Sequence, residues 1–245
     1  MKKLILSVLL IPAVFSAQQN VSRDAEIANY VSQVSADSLK SHINKLVSFG
    51  TRHTMSSTTD AKKGIGAARN WVLSKFKNYA KNSDGRMEVF LQSQTIQPDG
   101  KRINQPTDLG NAIAILRGTD PNDKRIFMIG GHLDSRVSDV MNAKDFAPGA
   151  NDDGSGVGAV IESARILSQS KFPATIVFVA FSGEEQGLLG AKMLAEKAKN
   201  ENWQLEALLN NDMIGNNLTS ETNLINAYQL RVFSEGLPQF DLDKK

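Results

Sequence analysis

A histidine and five carboxylates, placed at separate points along 245 residues, combine the residue types that hold a metal ion and move a proton: His132 with Asp134, Asp152, Glu184 with Glu185, and Asp212. A mixed imidazole and carboxylate set suits zinc, or manganese or cobalt, whereas calcium takes oxygen ligands only. One residue separates His132 from Asp134, so in extended chain both side chains point to the same side, as a metal ligand and its supporting carboxylate require. There are more carboxylates than a single ion needs, which points to two ions sharing one of them. Such pairs lie roughly 3.5–4 Å apart, acidify a water and clamp a scissile carbonyl. Of two adjacent glutamates, one can ligate while the other takes a proton from that water. Taken singly, each group also has a plain structural use. Asp152 and Asp153, or Glu184 and Glu185, could simply favour the start of the helix that follows, and a histidine at a strand end, like His42 and His53, can be a hydrogen-bonded structural group. Taken together, the acids repel one another and have no stability rationale without a compensating cation.

The elements that must position these groups are legible as alternating patterns. Apolar runs predict strands over Met87–Leu91, Ala112–Leu116, Ile126–Ile129, Thr175–Phe181 and Leu205–Leu209. Helical spacing fills Gly156–Leu167 and Leu188–Lys199 between them. Strands such as Ile176-Val177-Phe178-Val179-Ala180 are continuously apolar, as in a sheet covered on both faces. The expectation is an α/β fold with a mixed, largely parallel central sheet between helices, preceded by a helical part over about residues 24–82. In that part, Asp37 and Thr59 are expected as N-caps, with Trp71, Val72, Phe76 and Tyr79 on one face. Ser135–Asn151 reads as a loop. Open α/β sheets build their sites beyond the carboxyl ends of the strands, which is where the acids and His132 fall.

The motifs Gly131-His132-Leu133-Asp134-Ser135, Pro148-Gly149-Ala150-Asn151-Asp152-Asp153-Gly154-Ser155-Gly156, Phe181-Ser182-Gly183-Glu184-Glu185-Gln186-Gly187 and Asn211-Asp212-Met213 closely resemble those of the co-catalytic dizinc exopeptidases. That group comprises bacterial leucyl aminopeptidases, aminopeptidase Y, and glutamate carboxypeptidase and glutaminyl cyclase relatives. The resemblance runs from about Gly50 to Gly215. It implies a phosphorylase/hydrolase-like fold, a peptide substrate, and two zinc ions in a complete site. His132 and Asp212 would bind one zinc, Glu185 the other, and Asp152 would bridge them. Glu184 would be the general base, Asp134 would orient His132, and the Asp152-Asp153 peptide would be cis. The group's final histidine ligand, in a downstream Ser-Asp-His segment, has no counterpart here, because no histidine follows His132. The expectation is therefore of a sheet incomplete at the C-terminus, with an edge or core face open to association, and of a weak second metal site. Aminopeptidase is the commonest activity in the group. A carboxypeptidase, a cyclase-type relative or a metal-poor binding domain are the alternatives. The glycines Gly154, Gly156 and Gly158 also fit a dinucleotide-binding template, but they follow an acidic loop that would repel a pyrophosphate.

Residues 1–17 read as a secretory signal: Lys2 and Lys3, an apolar run from Leu4 to Phe15, then Ser16 and Ala17. The run is too short to span a bilayer, and residues 18–245 are expected as the catalytic domain, secreted or periplasmic and without a membrane segment. Lys plus Arg number 28 and Asp plus Glu 26, so loss of Lys2 and Lys3 brings the charges to balance. That balance, with no basic cluster, argues against nucleic acid as a partner. The absence of cysteine excludes disulfide staples, leaving stability to the core and to bound metal.

Overall fold

The computed structural model describes residues 24–218, 225 and 231–233, so the N-terminal apolar segment lies outside the described residues. Of the described residues, 24–33 belong to one compact unit and those from Val34 to another. The first contains helix α1 (Ala25–Ser32), capped by Asp24, whose carboxylate accepts the N–H groups of Glu26 and Ile27. No described helix is long and apolar enough to cross a membrane.

The second unit is a five-stranded sheet with helices on both faces. Its strands are β1 (Met87–Ile96), β2 (Thr107–Leu116), β3 (Arg125–His132), β4 (Thr175–Phe181) and β5 (Gln204–Asn210), and its helices are α2 (Ala36–Val47), α3 (Gly64–Ala80), α4 (Gly154–Leu167) and α5 (Leu189–Asn200). The sheet order is β1-β2-β4-β3-β5. β3 runs parallel to both its neighbours, while β2 is antiparallel to β1 and β4, so every strand except β2 points the same way. Side-chain alternation divides the core. Ala112, Ala114, Leu116, Phe178 and Ala180 face one side and meet Leu46, Ile65, Val72, Phe76, Val157 and Ile161 from α2, α3 and α4. Ile113, Ile115, Val177, Val179 and Phe181 face the other and pack with Leu194 of α5. The adjacent strands β3 and β4 are thus followed by helices on opposite faces. Their carboxyl ends open a crevice at the point where the connections diverge.

Helix α2 docks on α4 through a buried acid. Glu162 accepts the Ser35 N–H (2.9 Å) and the Ser38 hydroxyl (2.8 Å), and it pairs with Arg165 at 2.6 Å. The helix starts differ from expectation. Ser35, not Asp37, caps α2 by accepting the Ser38 N–H, and Asp37 lies in the first turn. Thr59 caps nothing: the Asp60 carboxylate takes the N–H groups of Lys62 and Lys63, and α3 begins at Gly64. The helical region is interrupted by residues 48–63, a loop that reaches the carboxyl ends of the strands. β1 and β2 are longer than their apolar segments because they pair with each other over ten residues, through polar positions such as Gln92, Gln94 and Asp108. On the outer strand β5, Leu205, Leu208 and Leu209 are exposed.

Candidate active site

The expected site residues converge beyond the ends of β3, β4 and β5. His132, the last residue of β3, is buried, with 4% of its side chain exposed, whereas Asp152 and Asp212 present carboxylates that are 48% and 45% exposed. His132 Nδ1 lies 3.1 Å from the Asp134 carbonyl oxygen, which can only accept, so Nδ1 carries a proton and Nε2 is the ring nitrogen that faces the acids. From Nε2 to Asp152 Oδ1 is 2.9 Å, and to Asp212 Oδ1 3.9 Å. These three side chains place one ligand atom each within 4.8 Å of one another, the only such group of three or more among the described residues. A tetrahedral zinc with bonds of about 2.0–2.2 Å separates its ligand atoms by roughly 3.3–3.6 Å, and the two observed distances straddle that range. The imidazole nitrogen with two carboxylate oxygens therefore fits zinc in type and count, with separations spread about that range.

Two buried carboxylates hold this arrangement together. Asp134 is fully buried and accepts the main-chain N–H groups of Glu184 (3.1 Å) and Glu185 (3.0 Å) and the Thr54 hydroxyl (3.2 Å). Its carboxylate is 3.8 Å from His132 Nδ1, so its hydrogen bonds fasten the Glu184-Glu185 turn to the end of β3, while its carbonyl contacts the ring. Asp153 is also fully buried. It caps α4 through Gly156 N–H (2.8 Å), accepts His132 N–H (2.9 Å), and takes Met213 N–H (3.3 Å) from the loop that carries Asp212. The Asp152-Asp153 peptide is cis. Gly156 lets the chains close up: a Cβ there would stand 2.2 Å from the Asn211 carbonyl oxygen.

The electrostatics follow from this crowding. Burial lowers the His132 imidazole, but the Asp134 and Asp152 carboxylates outweigh it and push it up to about 11. The contact with His132 lowers Asp152. Burial pushes Asp153 up to about 7. Glu184, half-buried, is raised by burial and by nearby Asp134, Glu185 and Asp212 against the pull of His132, the direction a general base needs.

Glu185, expected at a second zinc, stands apart from His132, Asp152 and Asp212. Its carboxylate is not in the three-residue group but pairs with Arg136 Nε at 2.5 Å, and its carbonyl accepts Arg102 Nη1 at 2.6 Å. Sequence reasoning also missed Arg52. This guanidinium is buried, and it donates to the carbonyls of Leu133 (2.7 Å), Leu46 (3.3 Å), Pro148 (2.7 Å) and Gly149 (2.8 Å). It thereby ties the His132 segment to the loop that leads to Asp152. Burial lowers it to about 10, against Asp134, Asp153 and Asp152. Apart from Leu46, its partners lie 81 to 97 residues away along the chain, beyond any spacing signal. His53 is buried nearby, its ring nitrogens engaged by Met55 N–H and the Val140 carbonyl.

The sequence profile of Peptidase family M28 matches residues 111–234, just over half of the chain and the part that carries all of these acids and His132. The chain belongs to peptidase family M28. Among curated relatives, a probable zinc metalloprotease of Pyrenophora teres f. teres (strain 0-1) is 44% identical over 229 residues, 93% of this chain and 49% of that protein. Another, from Pyricularia oryzae (strain 70-15), is 42% identical over 213 residues, 87% of this chain and 42% of that protein. The chain thus spans about half the length of the curated relatives it matches. Among solved structures, the LapA aminopeptidase of Legionella pneumophila shares the fold with a TM-score of 0.62 at 21% identity, over 87% of this chain and 52% of that one. A glutaminyl cyclase of Porphyromonas gingivalis matches with a TM-score of 0.59 at 25% identity, over 74% and 62%.

Proposed function

We propose that this chain carries the zinc-binding and catalytic side chains of a secreted metallopeptidase that removes residues from peptide ends, an aminopeptidase. The observation that carries this reading is the convergence of His132 Nε2, Asp152 and Asp212 within 4.8 Å, beside a glutamate whose carboxyl is raised. In this reading His132, Asp152 and Asp212 would hold zinc, and Glu185 with Asp152 would serve a second ion. Bound zinc would supply Lewis acidity, polarising the scissile carbonyl and lowering the pKa of water. Asp134 holds Glu184 in place through the Glu184 N–H. Glu184 accepts the proton of the attacking water at its carboxylate as the water oxygen joins the carbonyl carbon. The same carboxyl returns that proton to the amine nitrogen as the C–N bond breaks. The chain is exported, and residues 1–17 are removed.

The test is metal analysis of the purified chain after dialysis, paired with hydrolysis of aminoacyl anilides, C-terminal substrates and N-terminal glutaminyl peptides. About one tight zinc is expected, because His132, Asp152 and Asp212 make a three-ligand set and Glu185 has only a share of Asp152 to add. His132→Ala should abolish tight binding. Glu184→Gln should keep the zinc while cutting whatever anilide turnover the wild type shows by about 10²–10⁴-fold. Full turnover by Glu184→Gln would remove its role as base. Turnover confined to C-terminal or glutaminyl substrates would replace aminopeptidase by those activities.

A further inference from the structure

Glu185 is held on all sides. Asp134 fixes its N–H, Arg102 its carbonyl and Arg136 its carboxylate. The guanidinium of Arg136 is itself anchored, because Nη1 donates to the carbonyls of Val137 (3.2 Å) and Ser138 (3.3 Å) while Nε faces Glu185 Oε2. The pair is largely shielded, with 13% of the Glu185 side chain exposed and 32% of the Arg136 side chain. Asp152 and Glu184 are within electrostatic reach of the same cation. Arg136 thus stands among the acids as a fixed positive charge.

We infer that Arg136 is a resident counter-cation for Glu185, so that a divalent metal ion taking Glu185 as a ligand must compete with the guanidinium for that carboxylate. Arg136 Nε engages Glu185 Oε2 at hydrogen-bond length and its charge draws on the whole carboxylate, so a metal ion at either oxygen meets a carboxylate already partly neutralised. Arg136, raised further by its hydrogen bond to Glu185, keeps its charge, so the competition is between two cations and is not relieved by deprotonation. Loading is then ordered: the His132, Asp152 and Asp212 set fills first, and the Glu185 half fills last and more weakly. The inference rests on the reading of Glu185 as a metal ligand.

The experiment is a zinc titration of the chain by calorimetry, with chelator competition for the tight event, on wild type, Arg136→Met, Glu185→Gln and the double variant. Arg136→Met should tighten the weaker event by about tenfold, the effect of removing one charge-assisted hydrogen bond, and leave the tight event unchanged. In Glu185→Gln that event should be lost, and in the double variant Arg136→Met should restore nothing. Without metal, Arg136→Met should melt lower than wild type, and saturating zinc should close that gap. The Arg136 Nε–H resonance should shift with the weaker event alone. Equal or weaker second binding in Arg136→Met, or no second event in either protein, overturns the inference. Absence of a tight event in wild type would instead overturn the reading of His132, Asp152 and Asp212, and the Glu185-dependent comparison would still decide the role of Arg136.

Discussion

Replacing Asp134 with asparagine keeps the side chain's shape and tests whether a buried carboxylate fastens the Glu184-Glu185 turn to β3. The carboxylate receives Glu184 N–H on one oxygen and Glu185 N–H with the Thr54 hydroxyl on the other. An amide keeps an acceptor on only one side and turns an NH₂ toward a donor on the other. One charge-assisted hydrogen bond is lost and one buried donor is left unpaired, a cost of about 2–4 kcal/mol. A neutral amide is easier to bury than an ion, which brings the expected loss to the lower end, about 2–3 kcal/mol. For a chain of this size that lowers the melting temperature by roughly 5–10 °C. The same substitution removes the negative charge 3.8 Å from His132 Nδ1 while the carbonyl that contacts the ring stays in place, so zinc affinity should fall by about tenfold. Urea denaturation and chelator competition on wild type and Asp134→Asn measure both effects. A variant that melts within a degree or two of wild type and binds zinc as tightly would refute the reasoning, since no unpaired donor would then have been created.

Gly156→Ala should destabilise the chain by about 3 kcal/mol, because its methyl group would meet the Asn211 carbonyl oxygen and both Asp153 carboxylate oxygens within 2.5 Å. Gly158→Ala, whose methyl group would find contacts of 3.5 Å or more, should be neutral or stabilise α4 by up to about 1 kcal/mol; chemical denaturation of the two variants compares them. Burial opposes ionisation of Glu162, but Arg165, Ser35 and Ser38 hold its carboxyl near about 2, below its ordinary 4.5, so its contribution is present above that ordinary value and lost as pH falls toward 2. That contribution is about 2–3 kcal/mol, and Glu162→Gln should flatten the acid limb of stability between pH 4.5 and 2 in urea melts. The loss from neutral His42, lowered chiefly by burial, begins nearer pH 6.5 and should persist in that variant. Expressed in a bacterium, the chain should leave the cytoplasm with a new N-terminus near Ala17 or Gln18; an exported product that retains Met1 would overturn this.

The sheet was legible because its central strands are apolar on both faces: β4 is found where Thr175–Phe181 predicts it, since both core clusters draw on it. The ends of β1 and β2 were not legible. Gln92 to Thr95 and Asp108 to Asn111 are held in the ladder by each other and not by a hydrophobic pattern. Ser35 and Asp37 are equally good capping residues on paper, and the choice depends on Glu162, more than a hundred residues away, which takes the Ser35 N–H. The same limit applies to Arg52 and to the Arg136–Glu185 pair, whose partners are brought near only by the folded loops.

Within the site, sequence identifies the acids but not their division of labour, and burial supplies that division. Asp134 and Asp153 accept, between them, the main-chain N–H groups of His132, Gly156, Glu184, Glu185 and Met213, which come from all of the segments that carry the site. Each of those bonds ends on a backbone donor, so these two carboxylates fix where the chain lies. Asp152, Asp212 and Glu184 are partly exposed and point into the space that the first two have framed. Asp152 and Asp153 are adjacent and identical in chemistry, yet one faces the imidazole and the other disappears into the turn. A buried carboxylate needs donors on both oxygens, and only a position facing the amides of the β3 end, the start of α4 and the Met213 loop supplies them. The exposed carboxylates lack such donors, and their unengaged lone pairs are what a cation can use. The two classes of acid therefore follow from where the backbone amides point.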